Sequence, residues 1–162
     1  MVRSIIAVAA LVVTALSLGL SFAHLLEAGP RLTVWPPELW REATVFHGQY
    51  DLFGSIGGAL DVGVIPLTAL AAYLIRRERP GVWLASLAAL LFSVSLAVWF
   101  ARVAPVNAVL ATWTPGPIPA GFTALRDRWE TGHMIMAGIK LAGFTALAAA
   151  LVRPGMRITR PS

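Results

Sequence analysis

The sequence contains no cysteine. This excludes a disulfide, a thiol nucleophile, a cysteine-ligated zinc, an iron–sulfur cluster and a thiolate-bound haem. Charge is scarce as well. Only 13% of the 162 residues are Asp, Glu, Lys or Arg, about half of the roughly 25% usual in soluble domains. So few charges cannot cover a water-facing surface, and a soluble globule is excluded. The chain has no Walker A lysine motif, no Gly-x-Ser-x-Gly elbow and no His-Glu-x-x-His pair, so those nucleotide, hydrolase and metalloprotease chemistries find no support. Internal repeats are absent, and the only biased tract is the alanine-rich last helix.

Apolar residues are abundant, at 57%, with a mean hydropathy of +0.74. The net charge of +5 and pI near 11.1 would suit a nucleic-acid binder. The arginines, however, sit beside apolar stretches, which is a membrane pattern. The expected partner is the lipid bilayer, and nucleic acid has no support. The length fits a single transmembrane domain over 1–162.

A membrane-crossing helix needs about 20 mostly apolar residues. Four stretches qualify: 5–23, 52–75 with Asp61 inside it, 82–101, and 133–152 with Lys140 inside it. They predict an all-α, integral membrane four-helix up-down bundle with long extracytoplasmic loops and helices at about 4–26, 48–76, 81–104 and 131–153. Arg3 followed by an apolar run and Leu20-Ser21-Phe22-Ala23 also looks like a signal peptide. The run's length favours its retention as a helix.

Basic residues set the expected orientation. Arg3, then Arg76, Arg77 and Arg79, then Arg153, Arg157 and Arg160 fall on one side, with Glu78 as its only acid. That side should be cytoplasmic, with both termini inside a cell membrane. Trp35, Trp40, Trp99, Trp113 and Trp129 fall at the outer interface and Trp83 at the inner one. The turn 76–81 makes helices two and three an antiparallel pair. The first outer connection, 27–46, holds three prolines and a short amphipathic helix near 38–50. The second, 105–131, is kept non-helical by Pro115, Gly116, Pro117 and Pro119. Long loops in compact domains often act as lids.

Up-down threading gathers all three histidines at the outer leaflet, each with a carboxylate at helical spacing: His24 with Glu27, His47 with Asp51, and Glu130 with His133. Arg102 and Asn107 end helix three nearby. Three readings remain open. The group is a structural polar cap, in which Arg31, Arg102, Arg126 and Arg128 neutralise the acids. Alternatively, His24, Glu27, His47, Glu130 and His133 hold a transition metal (iron, manganese, copper or zinc), as Glu-x-x-His pairs do in di-iron bundles. The third reading is a metal-free binding or acid–base pocket. In it, His47 or His133, oriented by Asp51 or Glu130, deprotonates an acidic apolar or aromatic substrate arriving from the lipid.

Asp61 and Lys140 lie deeper, at similar depth, where a lone charge costs at least about 2.5–3.5 kcal/mol. An ion pair pinning helix two to helix four is the simpler reading, because a proton path needs ionisable steps further in. Gly54-x-x-x-Gly58 reads as close helix packing. No organic cofactor motif is present.

The segment His24-Leu-Leu-Glu27-Ala-Gly-Pro30-Arg31 resembles the opening motif of a family of small four-helix membrane proteins of unknown function that includes the fungal anthrone oxygenases. Pro105-Val-Asn107 and Arg128-Trp129-Glu130-Thr-Gly-His133 are similar to its later motifs. The resemblance implies a multi-pass bundle and oxygenation of an anthrone-like polyphenol without an organic cofactor. It implicates His24, Glu27, Arg31, Asn107, Trp129 and His133. Many members carry an arginine three residues after the helix-four histidine or asparagine, where this chain has Met136. Three functions follow as expectations: an anthrone-oxygenase-like oxidoreductase, a small-molecule binding or transport protein, and a structural membrane subunit without catalysis.

Overall fold

The computed structural model describes residues 1–48 and 50–152. Arg153, Arg157 and Arg160, assigned to the cytoplasmic side, lie outside the described residues. Every regular element described is helical. Four helices are long and apolar enough to cross a membrane, and the chain is a multi-pass membrane protein built as an all-α four-helix bundle. The first span is α1 (Val2–Thr33). The short α2 (Pro37–Arg41) follows, then the second span, α3 (Asp51–Leu74). The third span is α4 (Gly81–Val98) continuing into α5 (Ala104–Leu110), and the fourth is α6 (Phe122–Leu151). Around the bundle, α1 packs on α3, α3 on α4, α4 on α6 and α6 on α1, so α3 and α6 stand diagonally opposed.

Several hydroxyls within the spans bond back into their own helix, which satisfies them without water. Thr14, Thr68, Ser93 and Thr145 each donate to the carbonyl four residues earlier. At the arginine end, Arg3 of α1 donates to Glu78 in the α3–α4 turn. Ala10, Ala71, Ala85, Ala88, Leu147 and Ala150 form the core of that half. Small side chains let the helix axes approach closely there.

The loop-bearing half is built differently. Between Asp51 and Gly63 no residue of α3 is buried. The second core cluster forms away from it, with Trp40 of α2, Val103 and Val106 of the third span, and Phe122, Trp129 and Met136 of α6. Arg41 ties the two loops together, donating to the Gly116 and Pro117 carbonyls at 2.6 and 3.2 Å.

The helix ends depart from expectation at three places. The first helix runs to Thr33 rather than 26, passing through Pro30. The buried Ala28 and Arg31 pack these two extra turns against the bundle. The third rod runs to Leu110 rather than 104, through Pro105. A widened π turn over Trp99–Val103 precedes the proline, which has no N–H to give the Ala101 carbonyl. Arg128 donates to that carbonyl instead, at 2.8 Å. The last helix starts at Phe122 rather than 131, behind Gly121 at φ 81°. The second loop therefore shrinks to 111–121, and only this proline-rich part is non-helical. The amphipathic helix expected over 38–50 is instead α2 plus a second π turn, Glu42–Phe46. It stops at Gly48, φ 63°.

Candidate functional site

Arg31 is the hub of the open half. The final turns of α1 place His24, Glu27 and Arg31 on one face, at spacings of three and four residues. The Arg31 side chain is fully buried, and its Nε lies 3.2 Å from Oε1 of the equally buried Glu130 on α6. Its other nitrogens donate to the Tyr50 hydroxyl and reach Glu27 at 3.6 Å. The guanidinium also lies over the rings of Tyr50 and Trp129, at 5.0 and 5.3 Å. The Tyr50 hydroxyl in turn donates a hydrogen bond to Glu27 Oε2, at 3.0 Å. Burial pushes the Tyr50 phenol above its usual range, and the hydrogen bond to Glu27 adds to this against the opposing Arg31 charge. It therefore stays protonated at neutral pH and keeps donating. Trp40 completes the hub from α2, donating to Glu130 Oε1 at 2.7 Å.

The two histidines of this region sit next to the hub. The rings of His24 and His133 stack, with centroids 4.4 Å apart and planes 21° from parallel. Arg31 Nη2 lies 3.4 Å from His24 Nδ1. A guanidinium has only donors, so that nitrogen accepts and the proton of His24 sits on Nε2. His133 is half-buried and lines a cavity. Among the described residues none hydrogen-bonds its ring. Trp129 lies edge-on to it at 4.3 Å and donates from Nε1 to Asn107 Oδ1 at 2.8 Å. Indole is a donor only, so this bond fixes the Asn107 amide and leaves its NH₂ free to donate.

The cavity has a volume of about 550 Å³, within the roughly 300–1,000 Å³ typical of small-molecule sites. It lies between α3 and the other three spans. Aromatic side chains from three spans wall it (Phe53, Trp99, Phe100 and Trp129), and Thr44 and Val45 of the first loop also line it. A side chain at Gly54 or Gly58 would meet open space. This corrects the reading of Gly54-x-x-x-Gly58 as a packing motif: these glycines leave room for the cavity. At its floor, Lys140 Nζ contacts Asp61 Oδ1 and Oδ2 at 2.6 and 2.8 Å and Ser21 at 2.8 Å. Ser17 donates to Asp61 Oδ1 at 2.7 Å. The expected ion pair thus joins the diagonal helices α3 and α6 and recruits α1 as well. Past it, the alanine core closes the bundle.

Of the residues singled out in the sequence, His24, Glu27, Arg31, Glu130 and His133 come together, and Asn107 joins through Trp129. His47 does not. Its side chain is 69% exposed and faces Glu42 at 3.7 Å. The left-handed Gly48 breaks the helix between His47 and Asp51, so their four-residue spacing never becomes a shared face. Asp51 sits exposed at the cavity rim. Arg102 is exposed, 3.5 Å from the Thr131 hydroxyl. Met136, where many members of the family the motifs resemble carry an arginine, is buried and apolar, and the positive charge near His24 comes from Arg31. Tyr50 and Trp40 were missed, because aromatic residues near helix ends read as interfacial anchors.

The donor set does not fit a transition metal. Stacked imidazoles do not aim their nitrogens at one point, His24 Nδ1 faces a guanidinium, and Glu130 Oε1 is taken by Arg31 and Trp40. Among the described residues no three histidine, aspartate or glutamate side chains converge to hold an ion. The expected five-residue ligand set for iron, manganese, copper or zinc is therefore not assembled. Comparison with known proteins finds no matching family model, no similar curated protein and no similar solved structure, so the likeness to the anthrone-oxygenase family rests on the three motifs alone.

Proposed function

We propose that this membrane protein draws a flat phenolic molecule from the bilayer into the cavity and oxidises it there without a metal, in the manner of the anthrone oxygenases its motifs resemble. One observation carries the reading. Among the described residues the His133 imidazole has no hydrogen-bond partner, and it lines an aromatic-walled cavity, stacked on the His24 ring that Arg31 contacts at 3.4 Å. Such an imidazole is a general base. It takes a proton from the CH₂ that lies across the central ring from the carbonyl and is acidified by conjugation with it through the flanking aromatic rings. The enolate oxygen then receives the free NH₂ of Asn107, and the Arg31 charge stabilises the anion. Dioxygen accepts the electrons of the enolate and forms the new C–O bond. Loss of water leaves a carbonyl where the CH₂ stood, so one O₂ is consumed and one water released per turnover. His24 holds His133 by stacking, and Arg31 holds His24.

The arginine-rich end, with Arg3, Arg76, Arg77 and Arg79, is assigned to the cytoplasm by the positive-inside rule. On that reading the cavity lies in the outer leaflet of the cell membrane, with both termini inside.

The test uses the full chain in lipid nanodiscs with anthrone as probe, reading tryptophan quenching for binding and an oxygen electrode for turnover. Binding with oxygen uptake is expected. His133→Ala should lower turnover about 10²–10⁴-fold, the usual contribution of a positioned base, with little change in binding. Dialysis against a chelator should change neither readout. Binding without oxygen uptake would reduce the protein to a binding module. Loss of turnover on chelation, restored by one metal, would overturn the metal-free reading.

A further inference from the structure

The Asp61–Lys140 pair is more than the bundle needs for stability. A buried ion pair is poor evidence of stabilisation, since apolar replacements are often neutral or better. Charges inside a membrane generally mark function. The valences at this pair are specific. Lys140 has three N–H donors and makes three contacts, to Ser21, Asp61 Oδ1 and Asp61 Oδ2. It has nothing left to give. A carboxylate offers about four acceptor positions, of which Ser17 and Lys140 occupy three. The remaining one belongs to Oδ2. Both residues line the cavity, and Asp61 is the more open, at 13% exposure against 3% for Lys140. Ser21, whose oxygen accepts from Lys140, also lines the floor and keeps its own proton available.

An acceptor beside a hydroxyl donor matches one kind of group, an O–H that gives its proton to Asp61 and takes one from Ser21. A carbonyl or carboxylate there would face the Asp61 charge. The floor lies two turns from the histidines on both sides of the cavity, since Ser17 and His24 on α1, and Lys140 and His133 on α6, are each seven residues apart. At 1.5 Å per residue the two polar levels are about 10 Å apart along the bundle. Between them α3 offers Gly54, Gly57 and Gly58 on the stripe that ends at Asp61. A ring sliding down this stripe meets backbone until it reaches the carboxylate.

We infer that Asp61 is a second, specificity-determining anchor, which selects fused-ring phenols carrying a hydroxyl at the end remote from the histidine pair. The inference rests on the cavity binding a flat phenol, as proposed above. Its test compares 2,6-dihydroxynaphthalene with 2-hydroxynaphthalene in nanodiscs by tryptophan quenching. The wild-type protein should bind the diol about tenfold more tightly, the effect of one hydrogen bond to a charged acceptor. In the double variant Asp61→Leu/Lys140→Met, which leaves no unpaired charge, the ratio should fall to about one. Equal affinities in the wild type, or a diol preference that survives in the variant, overturn the anchor and leave the pair as a strut. The wild-type ratio decides the question however well the variant folds. Absence of binding by either phenol overturns the anchor and the phenol pocket together.

Discussion

At the arginine end, the four spans meet on alanine. Further along the same helices they meet on arginine, glutamate, histidine and tryptophan, and a cavity opens between α3 and the other spans. In the closed half, Ala71, Ala85, Ala88 and Ala150 bring the axes together, and Gly143 takes the ring of Phe92 directly against its backbone. In the open half, Arg31 braces α1 against α6. The π turn at Trp99–Val103 presses Val103 so close to α6 that only a glycine, Gly132, fits opposite. One architecture thus yields a tight seal and a held-open cavity. The difference lies in side-chain size on one side and in a buried polar brace on the other.

The sharpest way to break this comparison is to remove the brace. Arg31→Met leaves Glu130 buried without its counter-charge and frees Tyr50 and Glu27. Removing one partner of a buried pair costs about 3–5 kcal/mol. The thermal midpoint in detergent should fall by far more than for any single alanine substitution in the closed half. The double variant Arg31→Met/Glu130→Gln should recover much of the loss, because it leaves no lone charge at the hub. If Arg31→Met unfolds at the wild-type temperature, the open half is not held by this brace.

A paired substitution sharpens the contrast. A side chain at Gly143 would begin 3.1 Å from the Phe92 ring, so Gly143→Leu should cost about 1–3 kcal/mol through overpacking. Its measurement is the unfolding midpoint. At Gly54 the same leucine enters open space. Gly54→Leu should leave the midpoint within about 0.5 kcal/mol of wild type while filling the cavity and lowering phenol affinity at least tenfold. Equal destabilisation by both would mean that the open half is packed like the closed one.

The membrane spans were legible because a run of apolar residues long enough to cross a bilayer has few other uses. The Asp61–Lys140 pair was legible from depth alone, since both helices enter from the same end. The helix limits at Pro30 and Pro105 were not. A proline marks a missing donor, but whether the helix ends there depends on distant residues, here the burial of Arg31 and the Arg128 bond to Ala101. The histidine cluster was half legible. Spacing within α1 and α6 placed His24, Glu27, Glu130 and His133 correctly, whereas Gly48 between His47 and Asp51 silently broke the third pair. Gly54 and Gly58 looked like a packing face because a glycine signals close approach and empty space with the same letter.

The smallest expected effect concerns Ser95, in the last turn of α4 and near the middle of the third span. Its residue is completely buried, and among the described residues its hydroxyl has no hydrogen-bond partner, unlike Thr14, Thr68 and Ser93, which bond back to their own helices. A buried hydroxyl left unpaired is a liability of order 1 kcal/mol. Ser95→Ala removes that group and keeps the small side chain that close packing of α4 requires. The unfolding midpoint should be unchanged or slightly raised, with no effect on phenol binding, since Ser95 does not line the cavity. A loss of more than about 1 kcal/mol would show that the hydroxyl finds a partner in the membrane. Polar contacts would then support the closed half too, and small side chains alone would not explain its seal.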